Sequence, residues 1–147
     1  MKTFFSCIDA SIPAPQPVQH LVIRDRATKA GGAISFYGAE DVLGLGRQPF
    51  IRLKLKRLKE KGLDGVVFYT VHQFRYGGEF DYSLLRFIQA LKLEVHFACE
   101  GIAIRSEEEF HAIFPFLLAI DFTSRRDKSQ EWLQLLREAD LDAIPTG

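Results

Sequence analysis

Four short apolar runs, each rich in β-branched or aromatic residues, alternate with stretches of helical periodicity. This alternation limits the fold more than any other feature of the chain. The runs are residues 3–8 (TFFSCI), 33–37 (AISFY), 65–70 (GVVFYT) and 93–99 (LEVHFAC). Between the first two, residues 18–29 place apolar side chains at 18, 21, 22 and 23, and Gly31-Gly32 supplies a helix stop. Pro49 suits the first position of a second helix, with Ile51, Leu55 and Leu58 on one face and Gly62 at its end. Residues 80–91 predict a third, with Leu84, Leu85, Phe87, Ile88 and Leu91 inward.

Strands separated by helices need crossover connections, and such connections bring the strands parallel in one sheet with helices on both faces. Residues 65–70 show no polar alternation, as expected of a central strand buried on both sides. Beyond the fourth strand, Ile102–Ile104 reads as a short extension. Ser106-Glu-Glu-Glu109 fits a capping box opening a helix to about Ile120, bent by Pro115. A last helix near residues 128–139 carries Trp132. The expectation is one α/β domain over residues 1–147, with a mainly parallel sheet of four to five strands, helices on both faces and further C-terminal helices.

Composition agrees. With 47% hydrophobic residues and 13 Phe in 147 positions, the chain can bury a substantial core. Lys+Arg and Asp+Glu both number 19, so no global basic field marks a nucleic-acid binder. The six cations between Arg52 and Lys61 read as a solvated helix face, with phosphate-backbone binding as the alternative. No apolar run approaches the roughly 18 residues that span a bilayer. The N-terminus lacks a signal-peptide pattern, because Asp9 and three prolines follow its short apolar stretch. The expected location is the cytoplasm, with no membrane partner. Cys7 and Cys99 fall inside predicted strands and read as buried thiols rather than a disulfide.

In open α/β sheets, ligands bind outside the carboxyl ends of the strands. That rule selects Asp9 and Ser11 after strand one, and Tyr37, Glu40 and Asp41 after strand two. It also selects Tyr69, His72, Gln73, Phe74, Arg75 and Tyr76 after strand three, and Glu100 after strand four. His72 is the acid–base candidate, since an imidazole titrates near neutrality, and a neighbouring Glu100 would orient it. Arg75 can hold a phosphate or carboxylate through paired hydrogen bonds, and Tyr69 and Phe74 can stack on a sugar or base. Gly44-Leu-Gly46 and Gly77-Gly78 fit neither a P-loop nor a dinucleotide fingerprint. His20, His72, His96 and His111 are scattered without metal-ligand spacing, and Ser11 lacks a nucleophile-elbow context. No cofactor or metal is expected.

Two resemblances extend this reading. The segments Pro17-Val-Gln-His-Leu-Val-Ile-Arg-Asp25, Val67-Phe-Tyr-Thr70 and Val95-His-Phe-Ala-Cys-Glu100 resemble the sporadic carbohydrate cluster proteins, a bacterial family encoded among genes for cell-surface polysaccharide. That family's first segment reads Val-Gln-Asn-Leu-Val-Ile-Arg-Asp-Tyr, so His20 stands for Asn and Arg26 for Tyr. The likeness spans residues 4–109 and makes Gln19, Arg24, Asp25, Tyr69 and Glu100 site candidates. It implies a part in surface-carbohydrate biosynthesis with a sugar or nucleotide-sugar as ligand, and no particular reaction.

The layout also resembles the catalytic domain of serine recombinases (resolvases). Ser6-Cys-Ile-Asp9 occupies the place of that family's Arg-Val-Ser motif, Arg47-Gln-Pro49 resembles its Arg-Pro segment, and residues 66–75 resemble its strand and arginine-bearing loop. The nucleophilic Ser and the motif Arg are not in place, so the resemblance implies a fold rather than DNA cleavage. It implies the strand order 2-1-3-4, which would hold Cys7 and Cys99 about 10 Å apart, beyond disulfide reach. The alternative to a carbohydrate-binding or carbohydrate-modifying protein is a non-catalytic binding or scaffold protein on this fold, dimerising through its C-terminal helices.

Overall fold

The run without alternation supplies the centre of the sheet. The computed structural model describes residues 1–40, 49–76 and 79–124. Along the chain come β1 (Lys2–Asp9), α1 (Gln16–Lys29), β2 (Gly32–Glu40), α2 (Pro49–Glu60), β3 (Gly65–Phe68) and a 3-10 turn (Val71–Phe74). The two-residue strands β4 (Arg75–Tyr76) and β5 (Glu79–Phe80) follow, then α3 (Tyr82–Ala90), β6 (Glu94–Phe97), β7 (Ile102–Ile104) and α4 (Glu107–Ser124). The main sheet has five strands in the order β2-β1-β3-β6-β7. The first four are parallel, as the crossovers require, and β7 is antiparallel to β6. The expected order of the four parallel strands is therefore the observed one.

All of β3 is buried. A Cβ at Gly65 would lie 2.8 Å from the Glu94 carbonyl oxygen and 2.9 Å from the Phe4 ring, so a larger residue could not start this strand without moving backbone. On one face of the sheet α1 packs Ile23 and Ala27 against Phe4, Ile8 and Val67. On the other, Lys54 of α2 lies over the Phe5 ring and α3 packs on β6. A cluster of rings fills that second face. Phe74 meets Phe68 edge-on at 4.6 Å and Phe97 at 5.2 Å, and stacks on Phe80 at 5.4 Å. Each such buried ring contributes roughly 2–3 kcal/mol of transfer free energy.

Several boundaries differ from expectation. Strand three ends at Phe68, so Tyr69 and Thr70 belong to the turn beyond it. Strand four ends at Phe97, which leaves Cys99 in a turn and exposed, not buried in a strand; Cys7 is buried. Ile102–Ile104 reverses direction rather than extending β6, and Gly101 takes the left-handed φ of 67° in the reversing turn. Pro115 lies inside α4 without ending it. Ser106 Oγ accepts the Glu109 amide at 3.2 Å, one half of the capping box, while the Glu109 carboxylate pairs with Arg105 instead. The β4–β5 pairing was not foreseen.

A compact unit spans Met1–Ile113, and a second begins at Phe114, described as helix up to Ser124. The expected helix at 128–139 with Trp132, and the loop residues Asp41 to Arg47, lie outside the described residues. No described helix is long and apolar enough to cross a membrane.

Candidate functional site at the strand ends

Because β1, β2, β3 and β6 are parallel, the loops that follow them leave from one edge of the sheet. After β1, the Asp9 side chain turns back on its own loop. Its Oδ1 accepts the Ser11 amide at 2.8 Å and the Ser11 hydroxyl, while the residue stays 1% exposed. The next segment runs through turns and bends until Pro15 caps α1 and Pro17 enters its first turn. From that turn Gln19 reaches back. Its Oε1 accepts the Asp9 amide at 3.1 Å, and its Nε2 donates to the carbonyls of Asp9 at 3.1 Å and Ala14 at 3.0 Å.

The connection after β3 is held in a similar way. Gln73, fully buried, accepts the Thr70 amide on Oε1 at 3.1 Å and donates from Nε2 to the Cys7 carbonyl at 3.0 Å. One glutamine side chain thus ties the turn after β3 to the end of β1, while the Phe74 ring anchors the same turn in the aromatic cluster. Glu100 closes the arrangement. Its Oε2 accepts the Thr70 hydroxyl at 2.7 Å and its Oε1 accepts the Val71 amide at 3.1 Å.

The expected partnership of His72 with Glu100 is not made. His72 is exposed, and its backbone amide approaches Thr70 Oγ1 at 3.5 Å. The carboxylate that was to orient the imidazole is bonded to Thr70 and Val71, because the 3-10 turn presents those donors first. Tyr69 is half-buried beside Cys99. Its hydrogen bond with that thiol, then burial, push the phenol pKa up. Burial also raises the Cys99 thiol, against the opposing contact with Tyr69, so Cys99 is no activated nucleophile.

Gln19, Arg24 and Asp25 all lie on α1, but the structure separates them. Gln19 is buried under the helix, whereas Arg24 and Asp25 are exposed, and Asp25 pairs with Lys29 at 2.9 Å. The Arg75 side chain lies outside the described residues. Among the described residues no cluster of three His, Cys, Asp or Glu side chains is placed to hold a metal ion.

Half of the basic run on α2 serves the fold. Arg52 bonds Asp81 at 3.2 Å and lies over Phe87, Lys54 reaches the Tyr37 carbonyl at 3.4 Å, and Lys59 reaches the Lys92 carbonyl at 3.5 Å. His96 is 1% exposed against the Phe4 ring. Neither ring nitrogen has a hydrogen-bond partner, and the Glu94 carboxylate at 3.5 Å is too distant for a good one. Burial, helped by Arg26 and Arg105, holds its pKa below the ordinary 6.5 against the pull of Glu94. The imidazole is therefore a neutral core group.

Two features carry more weight than the sequence suggested. Gln73 is a structural clamp, and the strand-end rule that selected it could not distinguish a clamp from a ligand contact. The second is the pairing of Tyr37 on β2 with His20 on α1, whose rings meet edge-on at 5.6 Å and 69°. Neither residue type signals the other across the sixteen positions between them.

No protein-family model matches the chain, and no curated protein matches it. Solved structures do. A resolvase-family site-specific recombinase from Streptococcus pneumoniae superposes with a TM-score of 0.57 at 14% identity, covering 95% of this chain and 99% of that one. The N-terminal catalytic domain of TP901-1 integrase gives a TM-score of 0.59 at 16% identity, covering 85% of this chain and 98% of that one. At such identities the likeness speaks for the fold alone: this is an α/β protein of resolvase-like architecture.

Proposed function

We propose that this protein is a non-catalytic binding module on a recombinase-like fold, and that its ligand is a sugar or nucleotide-sugar of bacterial cell-surface carbohydrate biosynthesis. One observation supports the non-catalytic part above others. The strand-end groups Asp9, Gln19, Gln73 and Glu100 are hydrogen-bonded to the protein's own backbone or to Ser11 and Thr70. A general acid needs an acidic proton, and a general base a free lone pair, within reach of a ligand, and here the carboxylates are held as acceptors for internal donors. The carbohydrate part rests on the resemblance of three segments to the surface-polysaccharide proteins, together with aromatic side chains near the strand ends. Tyr69 is half-buried and Tyr37 is 50% exposed. Aromatic faces of this kind take the apolar face of a pyranose ring or a nucleobase.

The test is titration calorimetry with UDP-glucose, UDP-N-acetylglucosamine and GDP-mannose, followed by chromatography of the recovered ligand. Saturable binding with the ligand returned intact is expected. Release of free nucleotide, undiminished in Glu100→Ala and His72→Ala, would place chemistry elsewhere in the molecule. Its loss in either variant would make the protein an enzyme at this rim. Absence of heat with every ligand would end the sugar reading.

A further inference from the structure

Resting on that reading, we infer that the ligand is taken not over the strand-end rim but on the side of α1 that faces β2. There Tyr37 supplies the platform for a ring and Arg24 supplies the cation for a phosphate, so the ligand class is a phosphorylated sugar. Tyr37 is the aromatic ring that the described residues expose most, at 50% of its surface, and it stands on the edge strand of the sheet. An exposed aromatic face is open to stack on a ligand ring. This one is also held still. The His20 ring packs edge-on against it, and His20 Nδ1 is buried with no hydrogen-bond partner among the described residues. A ring fixed before the ligand arrives loses little freedom on binding.

Arg24 follows His20 by four residues on α1, which places it one helical turn away on the same face. It is exposed. Of its neighbours on the helix, Asp25 holds Lys29, and Gln19 holds Asp9 and Ala14. Across the edge strand, Lys54 is bonded to the Tyr37 carbonyl and sits over Phe5. Arg24 is thus an exposed cation on the α1 face that carries His20, the residue packed on Tyr37, and its planar fork matches a phosphate better than a neutral hydroxyl.

A ring platform on β2 and a guanidinium on the neighbouring helix α1 suit a sugar joined to phosphate. They do not suit a neutral monosaccharide alone, for which the cation would have no counterpart.

The experiment is titration of the full chain with UDP-glucose, GDP-mannose, glucose 1-phosphate and free glucose, on the wild type and on Tyr37→Ala, Tyr37→Phe and Arg24→Gln. A phosphorylated ligand is expected to bind and free glucose to bind at least tenfold more weakly. Tyr37→Ala and Arg24→Gln should each weaken the phosphorylated ligand by about tenfold or more, the scale of one charge-assisted contact. Tyr37→Phe should keep the affinity, because the ring face rather than the hydroxyl makes the contact. Both altered residues are exposed, and an unchanged thermal midpoint will show that the variants fold. Binding that survives Tyr37→Ala and Arg24→Gln unchanged overturns this placement and leaves the sugar reading standing. Equal affinity for glucose overturns the phosphate assignment. No binding by the wild type overturns both.

Discussion

The strand-end rim and the β2 edge use their polar side chains in opposite ways. At the rim, Gln19 and Gln73 give both ends of their amides to backbone, and Glu100 gives both carboxylate oxygens to Thr70 and Val71. At the edge, Tyr37 leaves half its surface in solvent, the His20 ring packs edge-on against it, and Arg24 is exposed. The rim is built inward, so changes there should cost stability. The edge is built outward, so changes there should cost ligand affinity and little else. Burial decides between the two. A polar group taken out of water must find partners inside the protein or destabilise the fold, whereas an exposed one stays available.

The contrast can be broken at its strongest point by Gln73→Ala. That change leaves the Thr70 amide and the Cys7 carbonyl without their side-chain partners in a buried setting, and a loss of about 3 kcal/mol in urea unfolding is expected. Gln19→Ala should cost less, about 2 kcal/mol, because its loop is local and closer to water. A loss well under 1 kcal/mol in both would show that the rim is not held by its glutamines. Glu100→Ala should follow at about 1–2 kcal/mol, as two hydrogen bonds are lost at a half-buried site. A Glu100 variant that kept full stability but lost ligand binding would move the site back to the rim.

His96 sharpens the comparison in a third place, since it is buried like the rim yet unpartnered like the edge. Its pKa in the folded protein lies below the unfolded value of 6.5. The unfolded chain therefore binds the proton more readily. The contribution of neutral His96 is present above pH 6.5 and is lost as pH falls from there through the lowered folded value. His96→Leu should flatten that part of a stability profile measured from pH 8 to pH 5 and should leave neutral-pH stability unchanged or raised. A slope identical to wild type would assign the pH dependence to other groups. Smallest of all, Tyr37→Ala and Arg24→Gln should move stability by no more than about 0.5 kcal/mol, as is usual for exposed positions.

Much of the fold could be read from the chain because it depends on local periodicity. The alternation of strands and helices, the central place of residues 65–70 and the helix start at Ser106 follow from side-chain spacing and capping chemistry. The β4–β5 pair was missed because two-residue strands carry too little periodicity, although Gly77-Gly78 between them was a usable hairpin signal. The strand ends were misjudged at Thr70 and Cys99 for a related reason. Apolar composition continues past the last ladder bond, and only pairing shows where the strand stops.

The candidate site was less readable. The strand-end rule brought Tyr69 and Glu100 to one region, but it could not say whether a carboxylate there meets a ligand or a backbone amide. By itself, then, the sequence determined the α/β alternation, the parallel sheet and the residue types at its carboxyl edge, since these arise from spacing along the chain. Only the tertiary structure decided that Gln73 reaches Cys7, that Glu100 closes on Thr70 and Val71 rather than His72, and that His20 braces Tyr37. Those pairings join residues far apart in the chain, and hydrogen-bond partners across such distances are chosen by which donors and acceptors packing brings within about 3 Å.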